Sequence, residues 1–373
     1  MKKACGVFLV TSLMLVAATS CSRDTRPLEV RLPEALDNGL RKYDVKGASA
    51  ALVFPDQSVL PVVGGISHDA VPMQADMLFA IGSITKNVVA ALVFKLAEEG
   101  VLSLEDPLHQ WLPAYPNIDS SITIRQLLAH TSGIYMFWEN QKLWDDLIKH
   151  REKVFTPEEV LAYLKNPDFS PGKGFRYSNT NYLLAAIIIT RATGSSLSAE
   201  FRKRFWQPLG LKDTFLALEE RIPDRLAHVW GDNFENDGSF RDITFLPRIS
   251  HDSITYGSAG IFMTAEDLAR WGYLLFEGKV LSQSSLVEML TIGKGGYGLG
   301  VHLFNKRLAG GEKAIGHGGG NIGTQAYLMY LPEYHTSIAL MINAFNGKCL
   351  NYIIRELASI AVEHQTSRKP RNP

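Results

Sequence analysis

Apolar residues follow two rhythms along this chain, and the switch between them marks out its architecture. Gly47–Phe54 and Ser58–Val63 are apolar runs separated by Pro55-Asp56-Gln57, which is the signature of a β-hairpin. The period then lengthens. Ile84, Val88, Leu92 and Leu96 recur every four residues, and Val89 and Val93 widen the stripe, so the spacing predicts a largely buried helix ended by Gly100. From Leu104 to about Leu218 helical patterns dominate. Ile124–His130, Pro157–Leu164 and the strongly apolar Asn179–Thr193 are predicted helices, the last with Ser178 or Asn179 as its N-cap. Residues 219–256 have no clear period and read as a long loop forming a wall or lid of a cleft. A helix at Ala265–Phe276 precedes strands at Gly298–Phe304, Ala314–Gly316, Thr324–Leu331 and Thr336–Asn343, and a last helix covers Leu350–Val362.

The order hairpin, helical stretch, strands, closing helix predicts an α/β (α+β) fold. One central antiparallel sheet is built from both chain ends, flanked by helices, with an all-helical lobe inserted. The sheet-containing lobe is assigned to 45–105 and 257–363, and the helical lobe with its cleft loop to 106–256. A tether and first helix, near Leu32–Tyr43, occupy 22–44, and 364–373 is expected to be a disordered tail. No internal repeat occurs.

The amino terminus adds a cellular address. Lys2 and Lys3, the apolar stretch Val7–Ala18 and the small residues Ala18-Thr19-Ser20 before Cys21 form a secretory signal, too short to span a bilayer. The small residues ending on Cys21 resemble a bacterial lipobox, so residues 1–21 are expected to be a signal peptide and Cys21 a lipidated terminus on an exported, periplasmic protein held to the membrane by its lipid. Cys349 is then alone in the fold, and no internal disulfide can form. Thirty-eight basic residues balance thirty-eight acidic ones, so no field recruits nucleic acid. Neither a cofactor motif nor a metal-spaced Cys/His cluster is present, and His251, His302 and His317 read as isolated.

Candidate chemistry gathers at Ser83-Ile84-Thr85-Lys86, where the long helix begins. Residues three apart share one helical face, so Lys86 can touch the Ser83 hydroxyl, and a buried lysine stripped of its proton can activate a serine. A backbone N–H in the first helical turn would point at a developing oxyanion. Ser-x-x-Lys occurs by chance about once in a chain of this size, and Ser170-Pro171-Gly172-Lys173 is a second copy. Its Pro-Gly pair is turn chemistry and cannot hold serine and lysine on one helical face.

Residues 45–345 resemble the serine hydrolase family of class C β-lactamases, penicillin-binding D-alanyl-D-alanine carboxypeptidases, D-aminopeptidases and related esterases. The resemblance rests on three ordered elements, Ser83-x-x-Lys86, Tyr177-Ser178-Asn179 and His317-Gly318-Gly319, with Leu127–Gly133 and Tyr297–Gly300 as supporting flanks. Tyr115-Pro116-Asn117 and Lys294-Gly295-Gly296 imitate the second and third elements but stand in the wrong settings. The resemblance implies Ser83 as the acylated nucleophile and Lys86 or Tyr177 as its base. It implies backbone N–H groups of Ser83 and Gly320 as the oxyanion hole, Asn179 steadying Lys86 and the substrate, and His317, Gly318 and Gly319 along the substrate. A β-lactam is a candidate ligand beside a small-molecule or peptide substrate. His317 stands where class C enzymes carry a lysine for the drug's carboxylate, so the expectation is hydrolysis of D-amino-acid peptides or small esters, with drug turnover weak. The alternatives are a true class C-type β-lactamase and a penicillin sensor that is acylated without turnover.

Overall fold

The computed structural model describes residues 24–232 and 239–368. The expected signal segment with Cys21, residues 22–23 of the tether and residues 369–373 of the tail lie outside the described residues.

Seven strands make the main sheet: β1 (Gly47–Val53), β2 (Val59–His68), β3 (Val71–Pro72), β4 (His302–Leu303), β5 (Ile315–Asn321), β6 (Thr324–Leu331) and β7 (Thr336–Ile342). Their order is β3-β2-β1-β7-β6-β5-β4, and every pairing is antiparallel. The first strand therefore lies beside the last, with Ala50 opposite Leu340, as expected for a sheet built from both chain ends.

Alternation explains why the central strands are apolar throughout. Ala48, Ala50 and Leu52 of β1 and Ile338, Leu340 and Ile342 of β7 point into one core, shared with helices α1 (Leu28–Tyr43) and α5 (Gly347–Arg368). Ala51, Val53, Ala339 and Met341 point into the other, against α2 (Thr85–Glu98), α3 (Asn179–Thr193) and α4 (Ala265–Phe276). A strand covered on both faces must be apolar at every position.

Several boundaries moved, each for a local reason. α1 starts at Leu28 and takes Pro33 inside it, because Leu32, Leu36 and Leu40 bury one face. The closing helix extends through residues 364–368, expected to be disordered, its charged residues forming a solvated face while Ile353, Ile354, Leu357 and Ala361 are buried. Only His302–Leu303 of the expected strand Gly298–Phe304 pairs, since Gly298 N–H closes a turn on the Val301 carbonyl. β5 runs past Gly316 to Asn321 and so carries the whole third element. Residues 219–256 hold more order than expected: Trp230–Gly231 pairs with Arg241–Asp242, and Ile249–Ile254 is helical. A small three-stranded sheet links the lobes by setting Ile261–Met263 between Phe79–Ala80 and Thr214–Leu216.

Candidate active site

Ser83 lies in a single tight turn, Gly82–Ile84, that leads into α2. The turn is held against β5 by contacts that leave no room for side chains. Gly82 has φ of +55°, and a Cβ there would lie 2.5 Å from the Gly320 nitrogen; one on Gly319 would lie 1.9 Å from the Ile81 carbonyl oxygen. Two glycines thus bring the third element's backbone up to the nucleophile. Gly318 and Gly319 are half-buried and Gly320 is exposed along this edge.

Lys86 is fully buried, and its Nζ stands 3.0 Å from Ser83 Oγ while donating to the Ser258 carbonyl oxygen at 2.8 Å. Burial holds its pKa well below the ordinary lysine value, favouring the neutral amine. Nζ also lies 4.9 Å from the centre of the Tyr177 ring. The Tyr177 hydroxyl is hydrogen-bonded with Ser83, and enclosure of that hydroxyl, only partly offset by this bond, raises its pKa. Of the two candidate bases, burial favours a neutral amine on Lys86 and a protonated phenol on Tyr177.

Asn179 lines the larger cavity with Ser83, but its side chain makes no hydrogen bond to Lys86. Its N–H donates to Met136 Sδ at 3.0 Å, and its buried Oδ1 has no partner, while the position beside Lys86 is filled by the Ser258 carbonyl. Nor does Ser178 cap α3 with its side chain, whose buried hydroxyl is unpartnered. His317 lines the smaller cavity and is held from within. It is 1 % exposed, with Nδ1 donating to the Gly318 carbonyl oxygen at 2.6 Å and Nε2 accepting from the Tyr297 hydroxyl at 3.0 Å. Both nitrogens are used inside the protein, and burial, with His302 and Lys86 nearby, drives its pKa well below 6.5. The ring and the backbone of Gly318–Gly320 border the same cavity.

The histidines read as isolated are not so. The rings of His302 and His317 are 4.7 Å apart, and His130 lies 4.3 Å from Tyr177 and 4.8 Å from Tyr297, centre to centre. Among the described residues, no group of three or more His, Cys, Asp or Glu suits a metal ion. Sequence reasoning missed Ser258, His130 and Tyr297 as site residues. Ser258 had one signal, the glycines at 257 and 260 that mark backbone under close approach, and Gly257 does press on α3 at Tyr182.

Two cavities meet at Ser83 and Gly320. The larger, about 680 Å³, is walled by Trp138, Trp144, Trp230, Phe240, Ile243 and Phe345, of which Trp230, Phe240 and Ile243 come from the described part of 219–256. Asn179 and His251 also line it. The smaller, about 440 Å³, runs along β5 past Tyr177, His302 and Tyr327. Phe345, 70 % exposed, borders both. Among the described residues lining either cavity there is no lysine or arginine.

The profile of the family described as Beta-lactamase matches residues 32–361. Penicillin-binding protein 4* of Bacillus subtilis is 26 % identical over 73 % of this chain, which spans 62 % of that protein's length. Esterase EstB of Burkholderia gladioli is 30 % identical over 68 % of the chain and 71 % of its own length. In structure, the D-amino acid amidase of Ochrobactrum anthropi SV3, solved with D-phenylalanine, superposes with a TM-score of 0.78 at 26 % identity, covering 91 % of this chain and 99 % of that one.

Proposed function

We propose that this chain, which belongs to the Beta-lactamase family, is a serine hydrolase of D-amino-acid amides or small esters whose acyl group is apolar and whose substrate needs no carboxylate. The observation that carries this reading is the pairing of Ser83 Oγ with a fully buried Lys86 amine at 3.0 Å, opening into a cavity with aromatic walls.

Lys86, neutral through burial, takes the Ser83 proton as Oγ attacks the carbonyl carbon. The oxyanion receives the N–H groups of Ser83 and Gly320. The intermediate collapses by breaking the bond to the leaving amine or alcohol, which gains the Lys86 proton by way of the Tyr177 hydroxyl. Water then attacks the acyl-enzyme, giving its proton to the same amine, and Ser83 is released with its proton restored. Three relatives or structures, a penicillin-binding protein, an esterase and a D-amino acid amidase, bracket this reaction class.

Among the described residues no lysine or arginine lines either cavity, which supports ranking neutral amides and esters above penicillins and C-terminal D-alanyl peptides in this proposal. The test is intact-protein mass spectrometry with a fluorophosphonate and with benzylpenicillin, followed by a panel of D-aminoacyl amides and p-nitrophenyl esters. Wild type should gain the phosphonyl mass, Ser83→Ala should not, and turnover should exceed that of benzylpenicillin. An unlabelled wild type sinks the nucleophile assignment. Penicillin turnover above that of every amide and ester makes the chain a β-lactamase instead, and a stable penicilloyl adduct without turnover makes it a sensor. The leader 1–21 is proposed to direct export with lipidation at Cys21; a mature mass lacking a diacylglyceryl modification would remove the anchor.

A further inference from the structure

His130 grips the chain on both sides of Tyr177. Its carbonyl oxygen accepts from Arg176 N–H at 3.0 Å, and its Nδ1 accepts from Ser178 N–H at 3.1 Å. Asn181 Nδ2 lies 3.2 Å from the same nitrogen. The tautomer follows from a chain of donors: Ile134 N–H donates to Ser132 Oγ at 3.1 Å, the Ser132 hydroxyl donates to Asn181 Oδ1 at 2.7 Å, and Asn181 is left presenting its NH₂ to His130. Nδ1 must then be a bare acceptor and Nε2 must carry the proton, and this buried Nε2 has no partner. The ring is fully buried, 4.3 Å from the Tyr177 ring. A buried imidazole with one nitrogen unsatisfied is a cost that a merely space-filling residue would not incur.

We propose that His130 is the positioning residue for the Tyr177 hydroxyl: its carbonyl and its Nδ1 fix the peptide groups flanking Tyr177, and its ring face fixes the phenol, so that the hydroxyl meets Ser83. Burial, together with the nearby Lys86, His317 and His302, keeps the imidazole neutral, which the acceptor role requires. This inference rests on the reading of Ser83 as the nucleophile. The backbone at His130 has φ of +55°, a region asparagine tolerates, and asparagine Oδ1 stands the same number of bonds from Cβ as Nδ1. Glutamine places its acceptor one bond farther out.

The experiment measures kcat and KM for p-nitrophenyl acetate, the rate of fluorophosphonate labelling, and hydrogen exchange at the Ser178 amide. It compares wild type, His130→Asn, His130→Gln, Tyr177→Phe and the double variant His130→Gln/Tyr177→Phe. His130→Gln should lower kcat about 10- to 100-fold with KM within about threefold, the size expected for a misplaced catalytic group. Asparagine should recover to within about tenfold of wild type. In the Tyr177→Phe background, His130→Gln should cost less than about threefold more, because the clamp has nothing left to position. Ser178 exchange should be slow in wild type and His130→Asn and fast in His130→Gln. Equal losses in both backgrounds, no advantage of asparagine over glutamine, or unchanged exchange overturns the clamp. Wild type unlabelled at Ser83 overturns the nucleophile reading instead, while the exchange comparison still judges the clamp.

Discussion

The two sides of Ser83 are built on opposite principles. On one side Lys86, Tyr177, Ser258 and His130 form a closed, buried set tied together by hydrogen bonds of 2.8–3.2 Å. On the other, Trp138, Trp144, Trp230, Phe240 and Phe345 surround an open volume of about 680 Å³ that Asn179, Asp232 and His251 also line. The chemistry-bearing side tolerates little change because a proton must pass between fixed atoms. The receiving side is graded, since an apolar wall trades substrates by volume. Substitutions on the first should therefore act on rate for every substrate, and on the second should act on choice among substrates.

The largest effect expected is at the nucleophile itself. Ser83→Ala should remove turnover by about 10⁵-fold or more for any substrate, read by steady-state kinetics. Lys86→Ala comes next, with a fall of about 10³-fold in acylation rate, and an equal loss at every acyl size is what would mark it as chemistry. Proton transfer also fixes the pH response. The Lys86 pKa is lowered, so the active amine is present above its pKa and lost as pH falls, giving activity that declines on acidification through a limb well below the ordinary lysine range. His302, pushed down to about 4 by burial and then by Lys86, is neutral above pH 5 and leaves the limb set by Lys86 untouched there. A pH–rate profile of kcat/KM in His302→Gln should overlay that of wild type above pH 5 in shape, and a displaced limb would reassign the proton acceptor.

Across the cavity, Phe240→Ala should lower kcat/KM for bulky apolar acyl esters about tenfold, the scale of one to two lost apolar contacts, while acetyl esters change less than about twofold. A uniform loss for both would erase the distinction between the two sides. The smallest effect is on stability. Burial would raise the Asp252 carboxyl, but the Arg248 charge and hydrogen bonds from His251 and Arg248 outweigh it and hold the pKa at about 2. A depressed carboxylate contributes stability above the unfolded value near 3.9 and loses it as pH falls toward 2, here about 2 kcal/mol. Asp252→Asn should thus lower the melting temperature at pH 7 and narrow the gap with wild type on acidification.

The same contrast explains what could be read from residues alone. Ser83 and Lys86 are bound by helical spacing, and Tyr177 and Gly318–Gly320 sit in short ordered elements, so local sequence carries them. Both central strands were also legible, since their apolar runs suit burial on two faces. Side-chain direction was not. His317 and Asn179 lay in the right places, yet the bond that holds the His317 ring depends on Tyr297, 20 residues away in sequence. Ser258 acts through its carbonyl, which any residue could supply, so no residue type could announce it. The aromatic wall draws on Trp138, Trp230 and Phe345, brought together by tertiary packing and by no repeat of period.

The pairing of β1 with β7 also sets an order for folding. Gly47–Val53 gains β2 from its immediate neighbour in sequence, while its other edge stays open until the distant Thr336–Ile342 comes to lie beside it. Because contacts of such sequence separation form slowly, the folding chain carries an open apolar strand edge until that late step. The step most exposed to aggregation is therefore the closing of the sheet, and a chain truncated before β7 should fail at that step with every catalytic residue already made.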